Sequence, residues 1–293
     1  MKNILLTGGN GFIGRNISEQ LSGEYNIFAP NSAELDLLDA GAVAAYLKKY
    51  KVTDIIHAAV YNPKRRNVSR EAELGANLRM FYNLAQYTDD LDKMIYFGSG
   101  AEFDKRSPIH MAREDDFGKT ISVLNDYSLS KYLMNLEALR SKNIYNLRLF
   151  GVFGKYENWQ TCFISNLCGK ALYALPLTIR QECVFDFLYV DDLMPPLKWM
   201  LENTPNYHDY NVCSRKPVRL TEIAKFVSMI SGKSLEIIVL TDGMNLEYTG
   251  DNTRIMKEFQ LEITELDMAI KKLFDFYKDN LIKIDREEIK RCH

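Results

Sequence analysis

The 293-residue chain has no long hydrophobic run, no excess of one charge and no closely spaced pair of cysteines. No stretch of about 18 apolar residues occurs, so the sequence predicts no membrane-spanning helix. The 37 basic and 39 acidic residues are interspersed and leave a net charge of -2, whereas proteins that bind nucleic acid usually carry a basic excess. The five cysteines form no CxxC pair, which predicts reduced thiols in a cytoplasmic protein and neither a disulfide framework nor a zinc site.

Hydrophobic residues make up 46% of the chain, which is enough for a substantial core. In the first half, short apolar segments alternate with segments of helical periodicity, a pattern typical of βαβ units around a parallel sheet. It predicts an α/β fold with a Rossmann-type doubly wound parallel sheet over residues 1–155. The predicted strands are residues 2–7, 25–30, 53–59, 93–99 and 144–150, and the predicted helices are residues 12–21, 42–50, 74–87 and 128–139.

The alternation of strands and helices breaks after Gly154. Residues 185–190 and 207–213 could still form strands, and the part from Arg215 onward is typical of helices with one short strand near residues 235–240. The sequence therefore predicts a smaller, mostly helical C-terminal lobe. No low-complexity linker separates the two parts, so we expect the lobe to pack closely against the sheet domain.

Three glycines, Gly8, Gly11 and Gly14, recur at every third position directly after the first predicted strand. Glycine lets the chain turn sharply there and lets a pyrophosphate approach the backbone. The amides that open the next helix, at Phe12 and Ile13, favour the phosphate charge together with the helix dipole. A tight turn without a ligand is the alternative, but the position at the first strand-to-helix turn favours a dinucleotide, NAD or NADP.

The end of the second predicted strand reads Pro30-Asn31-Ser32, where dinucleotide sites commonly place an acid that holds the ribose hydroxyls. Asn31 carries no charge that would repel a 2′-phosphate, and Arg15, one residue after the third glycine, could reach that phosphate. The sequence therefore favours NADP over NAD. A solvated helix residue is the alternative interpretation of Arg15.

Tyr127 and Lys131 are four residues apart on a predicted helix, so both side chains lie on one face about one turn apart. A phenol with a pKa near 10 is a poor proton donor or acceptor at neutral pH, and a nearby ammonium stabilises the phenolate and lowers that pKa. Lys131 could also hold the nicotinamide ribose. The pair follows the predicted strand that ends at Ser99, which indicates a proton-transfer site beside a nicotinamide.

Taken in order along the chain, six motifs make the sequence similar to the extended short-chain dehydrogenase/reductase family, in its nucleotide-sugar epimerase, dehydratase and reductase branch. The resemblance spans nearly the whole chain, and residues 34–39 are especially similar to the GDP-fucose synthase group. The matching motifs are Thr7-Gly-Gly-Asn-Gly-Phe-Ile-Gly14, His57-Ala-Ala59, Ser99, Tyr127-Ser-Leu-Ser-Lys131, Leu147-Arg-Leu-Phe-Gly-Val-Phe-Gly154 and Phe187-Leu-Tyr-Val-Asp-Asp-Leu193.

The resemblance implies roles for further residues along the predicted groove. Asp36 and Leu37 would lie against the adenine of the cofactor, and Ala58 and Ala59 would pass beside it. The catalytic set of an oxidoreductase that acts on a nucleotide sugar would consist of Ser99, Tyr127 and Lys131.

The resemblance also implies how the chain is divided and assembled. Residues 183–213 would return to the dinucleotide-binding domain of residues 1–155, and residues 156–182 and 214–293 would build the substrate-binding lobe. In the family, the helix after Lys131 pairs with a second subunit, which makes a homodimer plausible here. Its apolar side chains, which could alternatively pack on the core, are Leu129, Leu133, Leu136 and Leu139.

Four positions depart from the family pattern. The family usually has Ser-Ser or Ser-Thr where this chain has Ser99-Gly100. We assign the catalytic hydroxyl to Ser99, although one alignment places it at Gly100, where it would be absent. Gly151 replaces an asparagine, Phe185 an arginine that contacts the nucleotide, and Cys162 the histidine with which GDP-fucose synthases epimerise. Fucose synthesis itself is therefore not expected.

The motifs favour reduction of a 4-keto sugar, in which Tyr127 transfers the proton, Ser99 orients the oxygen and Lys131 holds the ribose. Dehydration is not favoured, because Ala101-Glu102 stands where dehydratases carry an Asp-Glu pair. Two alternatives stay open: a 4-epimerase that retains its NAD, and a non-catalytic NAD(P)-binding regulator.

Three further features have plain structural interpretations. His57 at a strand end is expected to be a packed core residue and not a base. Asp191 and Asp192 are adjacent, so their side chains point apart, and a role at a helix N-terminus is favoured over a metal site; no bound metal is expected. Residues 64–66, Lys-Arg-Arg, could meet a phosphate of the substrate, although a solvated loop is favoured.

Overall fold

A computed structural model describes residues 1–61, 72–121, 125–280 and 284–292 of the chain. The first half alternates strands and helices. Single 3₁₀ turns lie at Thr88–Asp90, Gly100–Glu102 and Glu114–Asp116. The main elements are β1 (Asn3–Thr7), α1 (Phe12–Leu21), β2 (Asn26–Phe28), α2 (Ala40–Tyr50), β3 (Asp54–His57), α3 (Ala72–Ala85), β4 (Lys93–Ser99), β5 (Ile109–Ala112), α4 (Asp126–Ala138), β6 (Ile144–Leu149) and β7 (Gly151–Phe153).

Six strands form one parallel sheet in the order β2-β1-β3-β4-β6-β11, in which β11 is Asp209–Val212. The chain adds strands on both sides of β1, so the strand order reverses between β1 and β3. In open α/β sheets a ligand crevice forms at this point, outside the carboxyl ends of the strands. Thr7, His57 and Ser99, which end β1, β3 and β4, therefore lie along the edge of the sheet that carries the crevice.

Both faces of this sheet are covered, because successive side chains of a strand point to opposite faces. In β1, Ile4 and Leu6 pack into one core with Ile17 of α1, whereas Leu5 packs into a second core with residues of α2 and α3. All four side chains are fully buried. Burial of such a side chain contributes roughly 1.5–3 kcal/mol, which fixes α1 and the glycine loop before it against the sheet.

The second half adds three small sheets, with strand orders β12-β9-β14-β5, β13-β8 and β10-β7. Since β5 and β7 come from the first half, the first and the third of these sheets join the two parts of the chain. The elements are α5 (Phe163–Leu172), β8 (Leu177–Glu182), β9 (Val184–Phe185), β10 (Phe187–Tyr189), α6 (Met194–Glu202), β12 (Val218–Arg219), α7 (Leu220–Ile230), β13 (Ile237–Met244), β14 (Tyr248–Gly250), α8 (Thr253–Glu258), α9 (Leu266–Asp279) and α10 (Arg286–Arg291).

The predicted fold class is confirmed, and the predicted elements of the first half lie within a few residues of the observed ones. Sequence reasoning missed β5, β7, β8, β12 and β14, so the C-terminal part contains more strand than expected. β11 belongs to the large sheet, whereas β9 belongs to the four-stranded one; the division at residues 155, 183 and 213 stays a prediction. Across the described residues, no helix is both long and apolar enough to cross a bilayer.

Candidate functional site

The loop after β1 brings the backbone close to any ligand in the crevice. Gly8 has a φ of +72°, which L side chains rarely adopt, and a Cβ there would lie 2.7 Å from backbone atoms of Ala58 and Ala59. A Cβ at Gly14 would collide with the Gly8 carbonyl, so the third glycine lets α1 pack against the loop. A Cβ at Gly11 would meet only the Gly8 carbonyl, at 3.2 Å, and α1 begins at the next residue.

A groove of about 460 Å³ opens at the carboxyl ends of β1 and β3. It lies at the N-terminus of α1, where free amides and the helix dipole favour an anionic group. The glycines leave space that side chains would otherwise fill, and the walls of the groove are partly polar and partly apolar. Both features fit a dinucleotide. The predicted cofactor-binding residues that line the groove are Gly8, Gly11, Asn31, Asp36, Leu37, Ala58 and Ala59.

Three other predicted cofactor residues lie behind the groove and do not line it. Phe12 and Ile13 are half-buried and form the first turn of α1, and Gly14 is buried behind them. Their roles as cofactor residues stay a prediction.

The end of β2 carries an acid that sequence reasoning did not find. The Asn31 side-chain oxygen accepts hydrogen bonds from the amides of Ala33 and Glu34 at 2.8 and 3.2 Å. The Glu34 carboxylate in turn accepts one from the Asn31 amide at 2.8 Å. A negative charge therefore lies beside Asn31, although it comes from three residues further along the chain.

Arg15 is exposed on the first turn of α1. Its guanidinium lies over the Tyr156 ring, 4.9 Å from the ring centroid. The side chain borders a shallow depression that shares Gly9 and Asn10 with the dinucleotide groove. A contact between Arg15 and a 2′-phosphate therefore requires the ligand to extend over Gly9.

Ser99, Tyr127 and Lys131 come together at the carboxyl end of β4. The Ser99 hydroxyl oxygen accepts a hydrogen bond from the Ala101 amide at 3.1 Å, and the hydroxyl is also a hydrogen-bond partner of Tyr127. Lys131 donates to the Phe97 carbonyl at 2.6 Å, and its ammonium lies 5.8 Å from the centroid of the Tyr127 ring. The geometry is that of the predicted catalytic set, and the catalytic roles themselves stay a prediction.

The pKa of Tyr127 is not lowered, as the sequence predicted from the neighbouring Lys131, but raised. Burial raises the pKa of Tyr127, against the smaller effect of the Ser99 hydrogen bond. The prediction that Lys131 lowers this pKa is wrong for this structure, because the ammonium is directed at the Phe97 carbonyl. Burial also lowers the pKa of Lys131 to about 8. At neutral pH Tyr127 is therefore a protonated phenol, which can donate a proton.

Beneath Ser99 lies a buried ion-pair network that sequence reasoning did not find. The Arg148 guanidinium is fully buried and contacts the carboxylates of Glu102 at 2.7 Å and Asp209 at 2.9 Å. Glu102 also accepts a hydrogen bond from the Ser99 amide at 3.0 Å. Burial raises the pKa of Glu102, and the Arg148 charge opposes that rise. Since buried charges need partners, this network fixes the end of β4.

Three of the departures from the family pattern meet in one group of rings, the aromatic cluster of Phe150, Phe185 and Tyr248. The Tyr248 ring lies 5.3 Å from the Phe150 ring and 4.9 Å from the Phe185 ring. A Cβ at Gly100 would lie 2.5 Å from the Tyr248 hydroxyl oxygen, and one at Gly151 would lie 2.8 Å from the Phe185 ring. The two glycines therefore make room for the aromatic cluster, in which Phe185 stands where an arginine was expected.

A second cavity, of about 660 Å³, lies between the aromatic cluster and the C-terminal lobe. Burial raises the pKa of Glu157 to about 7. Burial and the neighbouring Glu157 raise the pKa of Cys162 to about 12, so the residue that replaces the expected histidine is a neutral thiol. Side chains lining the cavity include Phe163, Phe185, Phe187, Asn166, Arg180 and Asn245.

His57 is buried, and its Nδ1 lies 2.7 Å from the Thr7 hydroxyl oxygen. Burial lowers its pKa to about 3, so the ring is neutral, as expected of a packed core residue. Asp191 accepts a hydrogen bond from Gln20 at 2.8 Å, and Asp192 accepts one from the Thr264 hydroxyl at 2.6 Å. Both residues lie in the first turn of the 3₁₀ helix Val190–Leu193, which leads directly into α6, in agreement with the predicted place at a helix N-terminus, and their carboxylates also join separate elements. Residues 64–66 lie outside the described residues.

A Rossmann sheet, a glycine loop at its first turn and a serine, tyrosine and lysine at the end of β4 are the features of a short-chain dehydrogenase/reductase. Residues 4–213 match the NAD dependent epimerase/dehydratase family, and the chain belongs to that family. The family predicted from the sequence is thereby confirmed, as is the prediction of an NAD(P)-dependent enzyme.

Two relatives of known activity cover most of the chain. A GDP-L-fucose synthase from Azorhizobium caulinodans is 41% identical over 265 residues, which are 81% of this chain and 83% of that protein. A GDP-L-colitose synthase from Yersinia pseudotuberculosis is 25% identical over 252 residues, which are 78% of this chain and 82% of that protein.

Two solved structures share the fold at low identity. A GDP-L-fucose synthetase from Naegleria fowleri bound to NADP has a TM-score of 0.81 and 19% identity, over 96% of this chain and 95% of that chain. A GDP-mannoheptose C4 reductase from Campylobacter jejuni with NADP bound has a TM-score of 0.80 and 18% identity, over 94% of this chain and 98% of that chain. At such identities the likeness establishes the fold.

Proposed function

We propose that this chain reduces the 4-keto group of a sugar carried by a nucleoside diphosphate, with NADPH as the reductant. The observation that carries the proposal is the half-buried, protonated phenol of Tyr127 beside Ser99. The dinucleotide groove opens at the carboxyl ends of β1 and β3, and the second cavity begins at Phe150 and Gly151, which follow Leu149, the residue paired with Ser99 in the sheet. The relatives named above, which act on GDP-linked sugars, support the same substrate class.

When bound, the dihydronicotinamide supplies the hydride that adds to the carbonyl carbon. Tyr127 donates its phenolic proton to the carbonyl oxygen, and the phenolate left behind is reprotonated from solvent. Ser99 donates a hydrogen bond to the same oxygen, which gains negative charge during the reaction. With the dinucleotide bound, Lys131 would hold the nicotinamide ribose hydroxyls in place of the Phe97 carbonyl.

The second cavity suits the nucleoside diphosphate of the substrate. Phe163 and Phe187 offer ring faces for a base, and the amides of Asn166 and Asn245 can pair with its edge. Arg180 supplies the positive charge and forked geometry that bind a diphosphate. Dehydration is disfavoured here, because Glu102 is only 1% exposed and ion-paired with Arg148, so it cannot exchange protons with a substrate.

The experiment is a turnover assay with the purified protein, NADPH and a panel of GDP-, UDP- and dTDP-linked 4-keto sugars. NADPH oxidation is followed by absorbance, and the product by NMR. Reduction consumes one NADPH for each sugar alcohol formed. A 4-epimerase would invert the C4 hydroxyl of an unoxidised nucleotide sugar without net NADPH oxidation, and a non-catalytic regulator would bind both ligands and turn over neither.

The preference for NADP over NAD rests on two opposed side chains. Arg15 lies next to Gly9, at the depression that continues the groove, and favours a 2′-phosphate by its charge. Glu34, beside Asn31, disfavours it. We infer that NADP(H) is preferred, because the Glu34 carboxylate already accepts a hydrogen bond from the Asn31 amide, whereas the Arg15 guanidinium packs on the Tyr156 ring and can still bind a phosphate.

We also infer a homodimer in the cytoplasm. Leu129, Leu133 and Leu136 of α4 are half-buried and Leu139 is 45% exposed, whereas Met134 and Ala138 of the same helix pack into the core. An apolar stripe of this kind suits pairing with the same helix of a second subunit. Sedimentation of Leu133→Glu, which places a charge in the stripe, tests it: a monomer is expected, and an unchanged dimer contradicts the assignment of α4. The unpaired cysteines support a reducing compartment.

A further inference from the structure

Three hydroxyl groups from separate elements converge at the carboxyl end of β4. They belong to Ser99 itself, to Tyr127 of α4 and to Tyr248 of β14. Ser99 is a hydrogen-bond partner of both phenols, and this contact opposes the rise in pKa that burial causes in each of them. The two phenols are also close enough to interact electrostatically. The sequence analysis named only the first two of these groups.

Gly100 provides the space in which the Tyr248 hydroxyl lies. A Cβ at this position would be 2.5 Å from the hydroxyl oxygen and 2.7 Å from the Phe150 ring, closer than van der Waals contact allows. A side chain at residue 100 and the Tyr248 hydroxyl therefore exclude one another. The glycine that follows Ser99 thus admits a hydroxyl from elsewhere in the chain.

Tyr248 is held in place from several sides. It is paired with Ile109 of β5 and with Phe185 of β9, and its ring packs on Phe150 and Phe185. The Lys105 ammonium lies 4.9 Å from the centroid of its ring. The side chain is 7% exposed. A phenol so fixed loses little freedom when it binds a ligand, and a buried hydroxyl needs a hydrogen-bond partner.

We propose that Tyr248 is a third catalytic hydroxyl, which donates a hydrogen bond to the substrate oxygen that Tyr127 protonates. The inference rests on the proposed reduction. As the hydride adds to the carbon, the carbon–oxygen π bond breaks and its electron pair moves to the oxygen. Tyr127 supplies the proton that completes the alcohol, while Tyr248 keeps its own. A donor aimed at that oxygen stabilises the transition state more than the ketone.

The test compares Tyr248→Phe with a matched control, Tyr145→Phe. Tyr145 is also a buried tyrosine, but it lies opposite Ile95 near the start of β6, at the other end of the strand from the site, and stacks on His208. We expect Tyr248→Phe to lower kcat by about 10²- to 10³-fold, as for loss of one oxyanion donor, with KM, NADPH affinity and Tm little changed. Tyr145→Phe should match the wild type. A kcat of Tyr248→Phe within twofold of the wild-type value overturns the proposal.

A second variant tests the link to Gly100. Gly100→Ala places a methyl group where the hydroxyl lies, so it should also lower kcat. If the hydroxyl is responsible, Gly100→Ala should have a smaller effect in the Tyr248→Phe background than in the wild type. Equal effects in both backgrounds would mean that the added methyl acts through Phe150 and would remove the assigned role of Gly100.

Failure of the proposed function is recognised separately. If the wild type reduces no keto sugar of the panel, the reductase proposal fails, and the comparison moves to binding. The Kd of a GDP-linked sugar in the presence of NADP⁺ should then be about fivefold higher for Tyr248→Phe than for the wild type, as for one hydrogen bond. Equal Kd values would overturn the role of Tyr248 in contacting the sugar.

Discussion

Two regions meet at Ser99, and they are assembled in different ways. The dinucleotide groove depends on short-range features, since Gly8, Gly11 and the first turn of α1 follow one another within a few residues. The aromatic cluster joins the ends of β6, β9 and β14, which are far apart in the chain. The difference teaches that the cofactor side of this site is encoded locally, whereas the substrate side depends on tertiary contacts between distant segments.

The largest expected effect concerns the local region. Gly11→Val should abolish dinucleotide binding, because Gly11 lines the groove and the new side chain would take up part of its space. Its Cβ would also press on the Gly8 carbonyl at 3.2 Å, so the folding of the variant is checked by circular dichroism. Gly23→Ala, at a position where a Cβ would meet no atom within 4 Å, is the control. The measurement is NADPH affinity by fluorescence. A folded Gly11→Val protein with wild-type affinity would show that the groove is not the dinucleotide site.

The second-largest effect is expected at Tyr127, beside Ser99. Tyr127→Phe keeps the ring but removes the proton donor, so turnover should fall by roughly 10²–10⁴-fold while NADPH affinity changes little. Single-turnover hydride transfer measures it directly. Tyr132→Phe, on the core side of the same helix, serves as a control for removal of a hydroxyl from α4. Near-native rates for Tyr127→Phe would refute its assignment as the proton donor.

The ion-pair network offers a way to separate stability from chemistry. Arg148→Met leaves Glu102 buried without its ion-pair partner, whereas Asp209 keeps Arg254, and the free energy of unfolding should fall by about 3–5 kcal/mol. The double variant Glu102→Gln/Arg148→Met should recover part of this loss. As the pH falls, Glu102 can take up a proton, so the deficit of Arg148→Met should shrink. Urea denaturation at several pH values checks this, and a deficit below about 1 kcal/mol would contradict the role of the network.

The smallest effect is expected at the outer end of the groove. Arg15→Ala should reduce the preference for NADPH over NADH, and Glu34→Gln should increase it, each by up to about fivefold because both side chains are exposed. Ratios of the two dissociation constants, measured at low and high salt, give the answer. Equal affinities of the wild type for NADPH and NADH would remove the reason to assign NADP.

Features that depend on residues close together in the sequence could be predicted, whereas those that depend on contacts between distant segments could not. The glycine loop, α1 and the Tyr127–Lys131 pair were predictable, because each depends on residues within one helical turn. Gly100 was recognised as a departure but not explained, since its reason is the Tyr248 hydroxyl, which approaches from β14. The Glu34 charge beside Asn31 and the raised pKa of Tyr127 were also missed, because turn geometry and burial decide them.

The position of Phe150 restricts how this enzyme can change in evolution. Its ring lies between two glycines, and a Cβ at Gly100 or Gly250 would come within 2.7 or 2.6 Å of it. A single mutation that restores a side chain at residue 100 therefore meets an occupied space. A serine or threonine at position 100 can be accommodated only after a smaller residue replaces Phe150 and the Tyr248 hydroxyl, which the Cβ would meet at 2.5 Å, is removed or displaced. Evolution from this sequence is thus more readily expected to change residues that contact Tyr248 than to regain the Ser-Ser or Ser-Thr pair that the family usually has at positions 99 and 100.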